Sequence, residues 1–368
     1  MKTSSCFGAR QSGWSSLAPS QHALLRSKRR HIRRGWTMLE VLVAISVISL
    51  LLALAIPAVQ SARESSRRSS CLSQLRQLGT ALHGFETSHR EFPGGFGPVH
   101  PTQGYGFGIA PQARLLPWLG TPGFEEYLEP ETYPQIVPYA PDQWPPWMRT
   151  TIPLLLCPSD RGLPGTNYVM CTGGGPKSAG DYPYKGVFHT GAGTRPAQVL
   201  DGLSNTIAAS ERVQSDLETQ TYSPYEDIWG SGISIGWIEE PDPMASFCAS
   251  LTGQPPGFYP HTGWSWDSSD YGSTLYNHVT APNSKIPDCV SSTNPTPPGP
   301  GQPDPPDRYG HQGAVAARSR HAGGVNVLTL DGSSRFVSNT IDLQVWRALA
   351  TIAGKEIVSD WYCTLGEL

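Results

Sequence analysis

Gly35-Trp36-Thr37-Met38-Leu39-Glu40-Val41-Leu42-Val43-Ala44-Ile45-Ser46-Val47-Ile48-Ser49-Leu50-Leu51-Leu52-Ala53-Leu54-Ala55-Ile56-Pro57 is the stretch that decides the fold. Between Glu40 and Pro57 lie 16 uncharged residues, which as a helix rising 1.5 Å per residue cover about 24 Å, close to the hydrocarbon thickness of a bilayer. Glu40 is the anomaly, because an ionised carboxylate in hydrocarbon is costly and calls for a partner. Arg33 and Arg34 precede the run and stay with the cytoplasmic headgroups, and by the same rule everything after Pro57 is exported. A cut after Gly35 supplies a better partner, the new α-ammonium of Trp36, four residues before Glu40. On neighbouring subunits that amine and the carboxylate lie at one membrane depth and neutralise each other.

These residues resemble the type IV prepilin cleavage and methylation segment. In that family a prepilin peptidase/methylase cuts after the glycine and methylates the next amine, and the acid four residues on guides assembly. The resemblance implies processing at Gly35 and Trp36 and an assembly role for Glu40. It implies as partners the peptidase/methylase, the inner membrane, and pilin-like subunits in a homo- or hetero-assembly. Pro57 falls where pilin helices commonly carry a kinking proline, while Trp36 replaces the usual Phe and the leader of 35 residues is long. A plain signal anchor would use the same apolar length. A cleaved signal peptide would use a small-residue site such as Ala53-Leu54-Ala55, but Glu40 speaks against it. Arg29-Arg30 followed by His31-Ile32-Arg33 fits a twin-arginine signal poorly.

Charge sharpens this division. Eight of the 27 Lys and Arg lie in the basic leader, 1–35, with no Asp or Glu, so a processed chain would hold 19 basic against 30 acidic residues, a net charge of −11. Phosphate contacts dominate nucleic-acid affinity, so no nucleic-acid partner is expected. With 39 Gly and 35 Pro in 368 residues, the rest should be mainly strand and loop. The expected order is an assembly helix over 36–57, an amphipathic helix over 58–92, and an exported head over 93–368. Leu72, Leu75, Leu78, Leu82 and Phe85 recur at helical spacing opposite Arg67, Gln74, Gln77 and Thr80, an apolar stripe that should pack on the head.

Removing Cys6 with the leader leaves Cys71, Cys157, Cys171, Cys248, Cys289 and Cys363. Six cysteines in an exported chain point to disulfides, with fifteen pairings open. No C-x₂-C pair occurs, so zinc is the weaker reading and neither metal nor cofactor is expected. A thiol nucleophile at Cys157 in Leu156-Cys157-Pro158-Ser159-Asp160 is disfavoured, because no neighbour in the chain lowers its pKa. Gly173-Gly174-Gly175 is followed by Pro176-Lys177-Ser178, which is a turn cluster and not a phosphate loop. Asp201-Gly202-Leu203-Ser204-Asn205-Thr206 reads as a turn, not a calcium loop, entering a buried strand at Ile207-Ala208-Ala209-Ser210-Glu211. Residues 291–308 form a proline-rich, solvated loop.

Val325-Asn326-Val327-Leu328-Thr329-Leu330, Asp331-Gly332 and Ser333-Ser334-Arg335-Phe336-Val337 predict a β-hairpin with a two-residue type I′ turn. Residues 341–350 predict a short helix covering it. His321, nine residues, then Asp331-Gly332 is similar to the C-terminal motif of the bacterial family DUF1559, also labelled SBP_bac_10. Other marks of that family occur in order: Ala62-Arg63-Glu64, Cys71 through His83, Cys157-Pro158-Ser159-Asp160, the segment 201–206, and Ser319-Arg320-His321. The resemblance implies a pilin-like architecture and no established activity. On a hairpin rising 3.3 Å per residue, His321 and Asp331 would lie more than about 15 Å apart, so structural roles are expected for both.

The predicted fold class is α+β, pilin-like, with a long N-terminal helix packed on a loop-rich, mainly antiparallel β head. Two functions follow: a pilin- or pseudopilin-like structural subunit, or an envelope-anchored module binding a ligand. No arrangement of nucleophile, base and oxyanion donors is legible, so an enzyme is not expected.

Overall fold

Helix α1 (Met38–His89) runs 52 residues without a break, with Pro57 inside it. In this computed structural model the described residues are 36–96, 108–121, 123–128, 144–177, 182–190, 193–231, 238–291 and 312–354. The leader, Gly35, residues 292–308 of the proline-rich loop and Cys363 lie outside them. Two compact units emerge, Met1–Pro57 and Ala58–Leu368.

In the first unit, residues 41–56 of α1 are exposed except half-buried Ala44. The helix is long and apolar enough to cross a membrane. One such helix near the N-terminus is consistent with membrane anchoring.

In the second unit, α1 buries Cys71, Leu75, Leu78, Ala81, Leu82 and Phe85. Burial of each large apolar side chain stabilises by roughly 1.5–3 kcal/mol. The periodic stripe is thus a core face, with two adjustments. Leu72 is half-buried while Cys71 takes the buried position, and Gln74 turns inward, its amide donating to Pro153 O and its carbonyl accepting from the Tyr168 hydroxyl.

The remaining elements, in chain order, are β1 (Gly108–Ile109), α2 (Pro111–Arg114), β2 (Tyr168–Cys171), β3 (Ile207–Glu211), β4 (Ile228–Ser231), α3 (Pro241–Ser250) and β5 (Gly257–Tyr259). They continue with β6 (Ser268–Ser269), β7 (Leu275–Tyr276), β8 (Asp288–Val290), β9 (Gly313–Ala314), β10 (Gly324–Thr329), β11 (Ser334–Ser338) and α4 (Leu343–Ala348). A five-stranded sheet orders as β11-β10-β3-β2-β7, a four-stranded sheet as β5-β4-β8-β9, and β1 pairs with β6. Among the named strands of the described residues only β2–β7 and β4–β8 run parallel, so the head is mainly antiparallel and the fold is α+β. The large core joins α1 to the five-stranded sheet, while a smaller one gathers Tyr222, Trp229, Met244, Cys248, Val279, Cys289 and Ala314.

The C-terminal hairpin forms, but its turn differs from the prediction. Leu328 pairs with Ser334, Gly332 N donates to Thr329 O, and Thr329 N donates to Ser333 O. The loop is therefore three residues, Leu330-Asp331-Gly332, in which only Gly332 has positive φ, +84°. This is a type I turn closed by a glycine bulge, which needs one left-handed residue where type I′ needs two. The Asp331 carboxylate spans the loop, accepting from the Thr329 hydroxyl and from Ser333 N. Helix α4 is shorter than 341–350 and is capped by Asp342, whose carboxylate accepts from Gln344 N and Val345 N. Leu349 O, just past it, accepts from Ile207 N of β3.

Candidate functional site

At the start of α1, Thr37 and Glu40 form a capping box. Glu40 Oε2 accepts from Thr37 N at 2.8 Å and from the Thr37 hydroxyl at 3.1 Å, while Thr37 Oγ1 accepts from Glu40 N at 3.2 Å. Two otherwise orphaned amides are satisfied reciprocally. The signal Thr-x-x-Glu was legible in the chain, and it assigns Glu40 a local role beside any assembly role. Trp36 is 77% exposed.

The family-like segments converge in two places. At the first, Asp331 N donates to Leu203 O and Leu330 N to Thr206 O, so the 201–206 turn braces the hairpin loop. That loop lies on α1 at Gly79, where an added Cβ would sit 2.9 Å from Leu328 Cδ1 and 3.0 Å from Gly332 Cα. The Asp201 carboxylate accepts from the Thr351 hydroxyl and Gly354 N, which makes it a loop tie.

The second place is built from four separate chain positions. Helix α1 delivers Glu64 and Cys71, the turn after Leu155 delivers Cys157, the end of β3 delivers Glu211, and the segment entering β10 delivers His321. Cys71 and Cys157 are joined as a disulfide, with Cα atoms 5.4 Å apart. His321 Nδ1 lies 2.6 Å from Glu64 Oε1, and its Nε2 lies 3.3 Å from Glu211 Oε1 and 3.5 Å from Cys157 Sγ. Glu211 is held in turn, accepting from Asn326 N and Asn326 Nδ2, both at 2.8 Å. The antiparallel pairing of Val327 with Ser210 sets Asn326 beside Glu211. Glu64 also accepts from Arg67 and from the Ser159 hydroxyl. Asn167 completes the frame, accepting from Cys157 N and donating to Asp160 and to Arg212 O.

Electrostatically this is an imidazole held between two acids. Burial works against a charged His321, but the hydrogen bonds and charges of Glu211 and Glu64 outweigh it and hold its pKa above the usual value. Behind it, Asp288 accepts from both Arg212 and Arg318, all three buried. Burial would raise the Asp288 pKa, yet the two guanidinium groups keep it below the ordinary carboxylate value. Arg320 bridges Asp160 and Glu226 at the rim.

His321 and Asp331 thus serve separate places, one at the disulfide and one in the hairpin loop. The histidine is more than a loop cap: its ring joins α1, β3 and the Cys157 turn. Cys248 pairs with Cys289, and Cys171 is a free buried thiol, not half of a disulfide, with its pKa pushed by burial to about 12. Along the sequence zinc is the weaker reading, because no C-x₂-C pair occurs and the cysteines are widely spaced. The fold removes that objection, since one ligand atom each from Cys71, Cys157, Glu211 and His321 lie within 4.8 Å of one another.

A family model described as SBP_bac_10, protein of unknown function (DUF1559), matches residues 60–344. Neither the curated proteins nor the solved structures contain a match.

Proposed function

The chain belongs to the SBP_bac_10 (DUF1559) family of proteins of unknown function, and from that premise together with its N-terminal helix we propose that it is a type IV pilin-like or pseudopilin-like subunit of the cell envelope. It is cut after Gly35, methylated on Trp36, anchored in the inner membrane with its leader cytoplasmic, and carries its head outside. The role is structural and not enzymatic. One observation carries the reading: an apolar, exposed half-helix whose single charged residue is Glu40, directly after the Gly35-Trp36 junction and a basic leader. In a lone anchor that carboxylate gains only its capping bonds. In an assembly it also meets the α-ammonium of a neighbouring Trp36.

Mass spectrometry of the N-terminus in the native membrane tests this. A chain beginning at methylated Trp36 is the expected result. An intact leader on a monomeric chain overturns it and favours an envelope-anchored ligand-binding module.

A further inference from the structure

We propose that the dithiol form of the Cys71–Cys157 cluster is a closed zinc site, with Cys71 Sγ, Cys157 Sγ, His321 Nε2 and Glu211 as ligands. Four ligand atoms already lie within 4.8 Å of one another, and all four residues are buried. Two thiolates, an imidazole and a carboxylate form a donor set that suits tetrahedral Zn²⁺, and a site without an open position is a structural one.

The surroundings favour a ligand set over a bare disulfide. Glu64 sits on His321 Nδ1 at 2.6 Å, which fixes the proton there and turns Nε2 toward Cys157 and Glu211. This is the carboxylate–histidine relation that orients metal-bound imidazoles. Asn326 fixes the Glu211 carboxylate through two hydrogen bonds. The other disulfide offers a contrast, because Cys248 and Cys289 lie in an apolar cluster with Tyr222, Trp229, Met244, Val279 and Ala314. A cross-link alone needs only such packing, and the histidine and acids around Cys71 and Cys157 go beyond it.

Disulfide and metal exclude each other, so the site is redox-gated. A phosphine reductant opens the bond: it takes the oxygen of water as its oxide, and two hydrogens end on the two sulfurs. Zn²⁺ then displaces the thiol protons and the Nε2 proton to solvent. This inference does not depend on the assembly reading.

The test titrates the detergent-solubilised full chain, phosphine-reduced and kept anaerobic, with Co²⁺ and then Zn²⁺. A thiolate-to-Co²⁺ charge-transfer band with tetrahedral d–d bands should saturate at one metal per chain and bleach with Zn²⁺. The oxidised chain should show none. Glu64→Gln should weaken binding roughly 10–100-fold, and Cys71→Ser should abolish the band. His321→Cys keeps a ligand at that position and should bind, whereas His321→Ala should not, which separates ligation from loss of fold. Absence of the band in the reduced chain, its survival in Cys71→Ser, or equal behaviour of the two His321 variants overturns the proposal.

Discussion

Replacing Cys71 and Cys157 together by Ala removes the covalent tie between α1 and the turn that carries Cys157. The bond closes a sequence separation of 86, for which the chain-entropy relation gives about 4.6 kcal/mol at 25 °C. The same relation gives about 3.9 kcal/mol for Cys248–Cys289, with a separation of 41. The unit Ala58–Leu368 carries roughly 0.65 kcal/mol/K of unfolding entropy at 2.1 cal/mol/K per residue, so the first loss should lower Tm by about 7 °C. The assay is thermal unfolding of the oxidised full chain in detergent, followed by tryptophan emission. Reduced wild type without metal should melt beside the equally reduced double variant, because then both lack Cys71–Cys157 and Cys248–Cys289. Reduced wild type with Zn²⁺ should recover, whereas the variant should not respond. A fall below about 2 °C would show that the unfolded chain is not constrained by this bond, and the reasoning would fail.

Glu40→Gln keeps an acceptor for Thr37 but loses the charge, so cross-linking between subunits should drop while the first turn of α1 stays protected from amide exchange; wild-type assembly of this variant would sink the charge-pairing role. Glu40→Ala should show the same drop together with fraying of that turn. Gly332→Ala forces a side chain into φ +84°, at a cost of about 1–2 kcal/mol, and should lower Tm by roughly 2–3 °C; an unchanged Tm would refute the turn assignment. His278, stacked on Trp346 at 3.6 Å, is held neutral by burial, which lowers its pKa to about 3 although its hydrogen bond to Trp346 O raises it. Since the unfolded imidazole protonates near 6.5, acid favours unfolding from there downward, by roughly 2 kcal/mol at pH 5. NMR should show no titration of His278 between pH 8 and 4 in the folded chain, and a midpoint near 6.5 would contradict its burial.

Reading from sequence succeeded where the signal was local. The stripe from Leu75 to Phe85 specified a helix face because 3.6-residue periodicity is written in neighbouring positions. The hairpin was legible from Asp331-Gly332, but its loop length was not. One residue more or fewer depends on whether Leu328 faces Ser334, and that register is set by β3 and by α1 at Gly79. Gln74 looked like a surface residue because helical phase cannot show that Pro153 and Tyr168 lie against it. The Thr37–Glu40 capping box was visible in the chain but was overshadowed by the charge it contains.

The sequence by itself therefore determined a long helix with an apolar first half, an acidic, strand-rich remainder and a C-terminal hairpin, because composition and short-range period are enough for each. Only the tertiary structure decided that Glu64, Cys71, Cys157, Glu211 and His321 share one place. These residues lie far apart along the chain, and strand register together with helix docking brings their side chains into contact. No spacing rule along the chain encodes that distance.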